Sequence, residues 1–163
     1  MKYILSLLVE NKHGVLAKVT QTITGRGYNI NTLQVAPSES PDTSRMMLTF
    51  DCDERIIKQV IKQLNKLIDV IKVFMIDEND KIERELLIIR VQRTKENEES
   101  IYRLAGIYEG KIIDVSLKSF VIELTNNTKR LNDFIEILRP YGIQELLRTG
   151  PLALTKIGEN KNG

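Results

Sequence analysis

The hydrophobic pattern of this chain runs through the same series of periods twice, and that repetition constrains the fold more than any other feature. Tyr3 to Val9 is a short apolar run without helical spacing, which predicts a buried strand. Glu10-Asn11-Lys12-His13-Gly14 breaks it with turn-forming residues. From Val15 the pattern becomes helical, with Val15, Leu16, Val19 and Ile23 on one face, and Gly25-Arg26-Gly27 stops it. Asn29 to Ala36 and Arg45 to Asp51 read as strands around a Pro37–Asp42 turn. Ile56, Val60, Leu64 and Leu67 mark a second helix, and Asp69 to Ile76 a fourth strand. The order is β-α-β-β-α-β.

The polar stretch Asp77–Lys81 reads as a linker, and the order then repeats. Glu85 to Val91 predicts a strand, and Ile101, Leu104, Ala105 and Tyr108 a helix ended by Gly110. Lys111 to Val115 and Phe120 to Thr125 predict two strands. Leu131, Phe134, Ile135 and Leu138 mark a helix stopped by Pro140 and Gly142, and Ile143 to Arg148 is the last strand. The expected fold is α+β, two ferredoxin-like βαββαβ domains. Their expected bounds are 1–78 and 82–158, with a polar tail at 159–163. Units this small, each with one sheet face left bare by its own helices, are expected to associate.

Composition narrows the function. Ile occurs 21 times while aromatics are 6% and Trp is absent, so the core is aliphatic. Twenty-four basic against 22 acidic residues leave a net charge of +2, which gives no footprint for nucleic acid. The first strand offers Tyr3 and the third Phe50, too little for an RNA-stacking platform. The loop after the first strand lacks the Arg that a phosphate-holding hydrolase needs. One Cys and one His build neither an intramolecular disulfide nor a structural zinc site, and nothing pairs Cys52 with His13 as nucleophile and base. No apolar run is long enough for a signal peptide or membrane span. These exclusions leave a small-molecule-sensing module, with no catalytic and no metal site expected in this chain.

The loop Asn11–Leu16 is where a ligand fits. Gly14 lets a ligand or another backbone approach, and the helix beginning there presents unpaired N–H groups suited to a carboxylate. The Asn11 amide can accept from an ammonium group, and Val15 and Leu16 can bound a small aliphatic side chain. Together these suit an amino acid. The same residues also read as a plain turn, capped by Asn11 and permitted by Gly14.

The chain resembles the small regulatory subunits of acetolactate synthase (acetohydroxyacid synthase), whose first domain is an ACT domain. The resemblance rests on Leu5-Ser6, Val9-Glu10-Asn11, Gly14-Val15-Leu16 and Arg26-Gly27-Tyr28-Asn29-Ile30, then Ser44-Arg45-Met46 and Lys62-Gln63-Leu64. It continues in Glu83-Arg84-Glu85-Leu86, Gly110–Val115 and Arg148-Thr149-Gly150, so it spans nearly the whole chain. It implies a subunit without catalysis of its own. That subunit activates a large subunit that turns two pyruvates into acetolactate with thiamine diphosphate, Mg²⁺ and FAD, and confers feedback inhibition by a branched-chain amino acid, typically valine. It also implies a homodimer through paired ACT domains, with Asn11, Gly14, Val15 and Leu16 of one copy and Asn29 and Ile30 of the other around the effector. The alternatives are a free-standing amino-acid sensor or a nucleic-acid-binding module. Lys12 and His13 read as solvated loop residues, Arg45 as an ion-pair partner and Cys52 as a small apolar group. Glu83-Arg84-Glu85 reads either as the charged start of a strand or as a contact, and Arg148-Thr149-Gly150 as a strand end and turn or as a contact. Heavy use of Ile, Lys and Asn fits a bacterial cytoplasm or an organelle-encoded protein of the plastid stroma.

Overall fold

The structure, a computed structural model, describes residues 1–157, so the tail expected at 159–163 lies outside the described residues. They divide into two compact units. One comprises Met1–Ile82 with residues 152–157, and the other is Glu83–Pro151.

The first unit contains β1 (Lys2–Glu10), α1 (Val15–Thr24), β2 (Thr32–Pro37), β3 (Thr43–Asp51), α2 (Glu54–Leu64) and β4 (Val70–Ile76). Its antiparallel sheet has the order β2-β3-β1-β4. Alternation along β1 and β3 sends Leu5, Leu7 and Val9, with Met46, Leu48 and Phe50, to one face. There they meet Val15, Val19 and Ile23 of α1, spaced four apart, and Ile57, Val60 and Leu64 of α2. Ile57 is fully buried while Ile56 is half-buried, so the core stripe of α2 begins one residue later than its spacing suggested.

The second unit holds most of β5 (Lys81–Gln92), then α3 (Glu98–Ile107), β6 (Lys111–Val115), β7 (Ser119–Asn126), α4 (Thr128–Leu138), a single 3₁₀ turn (Arg139–Tyr141) and β8 (Ile143–Arg148). Its strands run β6-β7-β5-β8. Leu87, Ile89 and Val91 with Phe120, Ile122 and Leu124 form the sheet side of its core, against Ile101, Ala105, Leu131 and Phe134. Two ferredoxin-like βαββαβ units are therefore present.

Three boundaries differ from the sequence reading. The strand expected from Asn29 begins at Thr32, because Asn31 spends its side-chain oxygen on the Asp51 N–H (3.0 Å) before the ladder starts. β5 begins at Lys81, inside the expected linker. A ninth strand, β9 (Leu152–Thr155), follows β8, and residues 152–157 group with the first unit, although the second domain was expected to run to 158. The reason is packing. Ala153 is 3% exposed and packs with Ile4, Met47 and Ile76, on the sheet face that the first unit's own helices leave bare. Among the described residues, no helix is long and apolar enough to cross a membrane, and no group of three or more His, Cys, Asp or Glu is placed to hold a metal.

Candidate functional site

Gly14 sits between β1 and α1 with φ 83° and ψ −8°, in the left-handed region that side chains rarely enter. A Cβ built on it would meet no atom within 4 Å, so the glycine answers to backbone conformation and leaves open space outside it. The helix start is bare in a second sense. No side chain caps α1 and its first turn holds no acidic residue. The first N–H groups of a helix have no acceptor within it, and here they carry the positive end of the helix dipole.

The loop is held in place by the chain beneath it. The Asn11 N–H donates to the Asp42 carbonyl (2.8 Å), and the Asn11 side-chain amide donates to the Pro41 carbonyl (3.0 Å). One half of the Asn11 amide thus buttresses the β2–β3 turn. Lys12 pairs with Glu10 at 2.8 Å, and the hydrogen bond that its ammonium donates to the Glu10 carboxylate raises the Lys12 pKa. Lys12 and His13 are both exposed, as solvated loop residues are. Val15 is 3% exposed and belongs to the core, whereas the neighbouring Leu16 is 42% exposed. Of the two aliphatic residues read as bounding a ligand, Leu16 stands at the surface, while Val15 is buried in the core and does not face a ligand as expected.

Asn29 is exposed, and Ile30 is half-buried against the core of the first unit. Among the described residues no hydrogen bond joins either of them to the Gly14 loop. Arg45 pairs with Glu39 (3.4 Å). The Glu39 carboxyl is held below its usual range, first by a backbone hydrogen bond and then by the Arg45 charge. Cys52 is half-buried at the core edge, where burial pushes its thiol pKa up.

In the second unit the structure joins two motifs that the sequence offered separately. Glu85 is 3% exposed, and its carboxylate takes Arg148 in a fork, from Nε at 2.7 Å and Nη2 at 2.8 Å. Arg148 Nη1 donates to Asn132 (2.8 Å), and Thr128 Oγ1 donates to Glu85 (3.0 Å). Glu83 accepts the Thr128 N–H at the start of α4 (2.8 Å), and the Thr149 hydroxyl accepts the Leu86 N–H (3.1 Å). Sequence reasoning missed Thr128 and Asn132 in this network, since a lone Thr at a helix start carries no signal beyond capping and a lone Asn in the second turn carries none.

Residues 5–72 match the family model for an AHAS small subunit-like ACT domain, and residues 84–157 the model for the small subunit of acetolactate synthase. The probable acetolactate synthase small subunit of Archaeoglobus fulgidus is 46% identical over 96% of this chain and 98% of its own length. The acetolactate synthase small subunit of Aquifex aeolicus is 38% identical over 95% of this chain and 81% of its own. The crystal structure of the acetolactate synthase small subunit from Thermotoga maritima superposes with a TM-score of 0.89 at 36% identity, covering 98% of this chain and 99% of the other. By sequence along nearly its whole length and by fold, the chain belongs to the family of acetolactate synthase small subunits.

Proposed function

We propose that this chain is a regulatory subunit in branched-chain amino-acid biosynthesis. It raises the activity of an acetolactate synthase large subunit, which joins two pyruvates into 2-acetolactate with loss of CO₂, and it makes that activity sensitive to valine. Thiamine diphosphate, Mg²⁺ and FAD belong to the large subunit in this reading. The effector's carboxylate lies on the bare first turn of α1 beside Gly14, with Leu16 against its side chain. Asn29 and Ile30 come from a second copy, paired through the β2 edge and α1. The single observation that carries the reading is Gly14, a left-handed glycine with open space outside it, at a helix start that has neither a cap nor an acid. A carboxylate ligand supplies the negative group that the chain itself withholds there.

The test is reconstitution. The purified chain alone should turn over no pyruvate, and added to its large subunit it should raise the rate and introduce inhibition by valine. Substantial acetolactate formation by the isolated chain, or no stimulation of the large subunit, would refute the reading.

A further inference from the structure

α2 carries its charge unevenly. Its outer face holds Arg55, Lys58 and Lys62, all exposed and spaced three and four apart. Lys66, also exposed, follows in the turn that closes the helix, where its N–H donates to the Gln63 carbonyl (3.1 Å). Lys58 pairs with Glu54 (2.6 Å), while Arg55, Lys62 and Lys66 have no ion-pair partner among the described residues. The three helical cations line a shallow groove with Glu54 and Gln59.

Helix stability does not ask for this pattern. Like charges three or four apart on a helix repel one another. Lys62 and Lys66 suit the negative end of the helix dipole, but Arg55 is the second residue of α2, where the dipole opposes a cation. α4 stands at the same place in the βαββαβ order of the second unit, and there Lys129 and Arg130 are balanced by Asp133 and Glu136. A local rule kept in one unit and broken in the other marks a surface that answers to something outside the chain.

The neighbouring residues select the partner. No large apolar residue of α2 is exposed, yet Ile68, two residues past Lys66, is 92% exposed. Cations beside a bare aliphatic side chain suit a protein contact, whereas a nucleic acid would use the cations alone. A second copy of the same face would be repelled by it. We propose that the outer face of α2, from Arg55 to Ile68, docks onto an acidic face of the acetolactate synthase large subunit. This rests on the proposed function, which supplies that partner and which gives the β2 edge and α1 to a second copy of this chain.

The experiment titrates the large subunit with the full-length chain and reads the concentration that gives half-maximal stimulation. Arg55→Gln, Lys62→Gln and Lys66→Gln together should raise it about tenfold at low salt, about twofold for each exposed ion pair, and high salt should close the gap to the wild type. None of the three side chains has a hydrogen bond or ion pair among the described residues, so the rate and the valine inhibition at saturation should be unchanged. Arg55→Lys, Lys62→Arg and Lys66→Arg together should leave the wild-type concentration in place. Ile68→Ser should raise it about fivefold at every salt concentration. A triple Gln variant or an Ile68→Ser variant that titrates like the wild type would overturn the proposal. So would a triple Gln variant that loses affinity for duplex DNA but not for the large subunit, which would give the face to nucleic acid. A wild type that fails to stimulate would overturn the proposed function itself, and this assignment with it.

Discussion

The first helix of each unit starts at the same place in the βαββαβ order, and the two starts are built in opposite ways. At α1 the chain provides Gly14, no cap and no acidic residue. At α3 it provides Glu98 and Glu99 in the first turn. The loop before α3 is closed on itself as well. Thr94 and Asn97 bond each other's backbone N–H groups, at 2.9 and 3.2 Å, and the Asn97 amide donates to the Gln92 carbonyl (2.9 Å). Arg93 holds the Glu98 carboxylate through two nitrogens and donates a third bond to the Ser116 carbonyl. The chain's own carboxylates thus stand at the dipole of α3, while the first turn of α1 holds none. The units also differ inside. The buried polar residues of the first are Ser6 and Ser44, and those of the second are Glu83 and Glu85. One βαββαβ order carries an uncapped helix start in one unit and an internal charge network in the other.

That comparison can be broken from either side, and the largest expected effect is in the second unit. Glu85→Ala leaves Arg148 and Thr128 without their buried acceptor and should destabilise the unit by about 3 kcal/mol, the low end for a broken buried pair because Arg148 is part-exposed. Urea unfolding of the full chain would show this as an earlier transition. An unchanged midpoint would mean that the network contributes little.

Gly14→Asp should come next. An Asp tolerates the left-handed backbone better than most residues, but it places a carboxylate where the proposed function puts the effector's carboxylate. Valine affinity should fall roughly a hundredfold, with stimulation of the large subunit retained, because a ligand shifts an equilibrium only by its differential affinity for two states. Holoenzyme rate against valine concentration reads both, and full valine sensitivity in the variant would place the effector elsewhere.

Asn29→Ala removes one hydrogen-bonding group without adding repulsion, so its effect in the same assay should be about fivefold to tenfold. The smallest effect sharpens the contrast. Replacing Glu98 and Glu99 together by Ala strips the acids from α3 and should cost about 1 kcal/mol in the same urea experiment. It should create no second valine site in isothermal titration, since the Thr94–Asn97 bonds still close the loop. A new site in the second unit would show that the acids alone had kept it shut.

Much of this was legible in the residues. The alternation in β1 and β3, the fourfold spacing of Val15, Val19 and Ile23, and the glycines and prolines between elements depend on local periodicity, which sequence carries directly. The expected spans of β6 and β8 match the structure at both ends, because turn formers flank them. The position of Gly14 at a helix start was legible too, from an apolar stripe that begins immediately after it.

Tertiary structure decided what depends on partners far away in the chain. Nothing local in Leu152–Thr155 distinguishes a tail from a strand; Ala153 becomes core because Ile4, Met47 and Ile76 form a bare apolar face for it. Val15 and Leu16 read alike in sequence, and only the sheet beneath α1 buries one and leaves the other at the surface. Glu83-Arg84-Glu85 and Arg148-Thr149-Gly150 looked like two polar strand ends until the pairing of β5 with β8 set Leu87 opposite Arg148 and brought the Arg148 guanidinium onto Glu85. A buried carboxylate is tolerated only where its partners converge on it, and that convergence is a property of the folded chain.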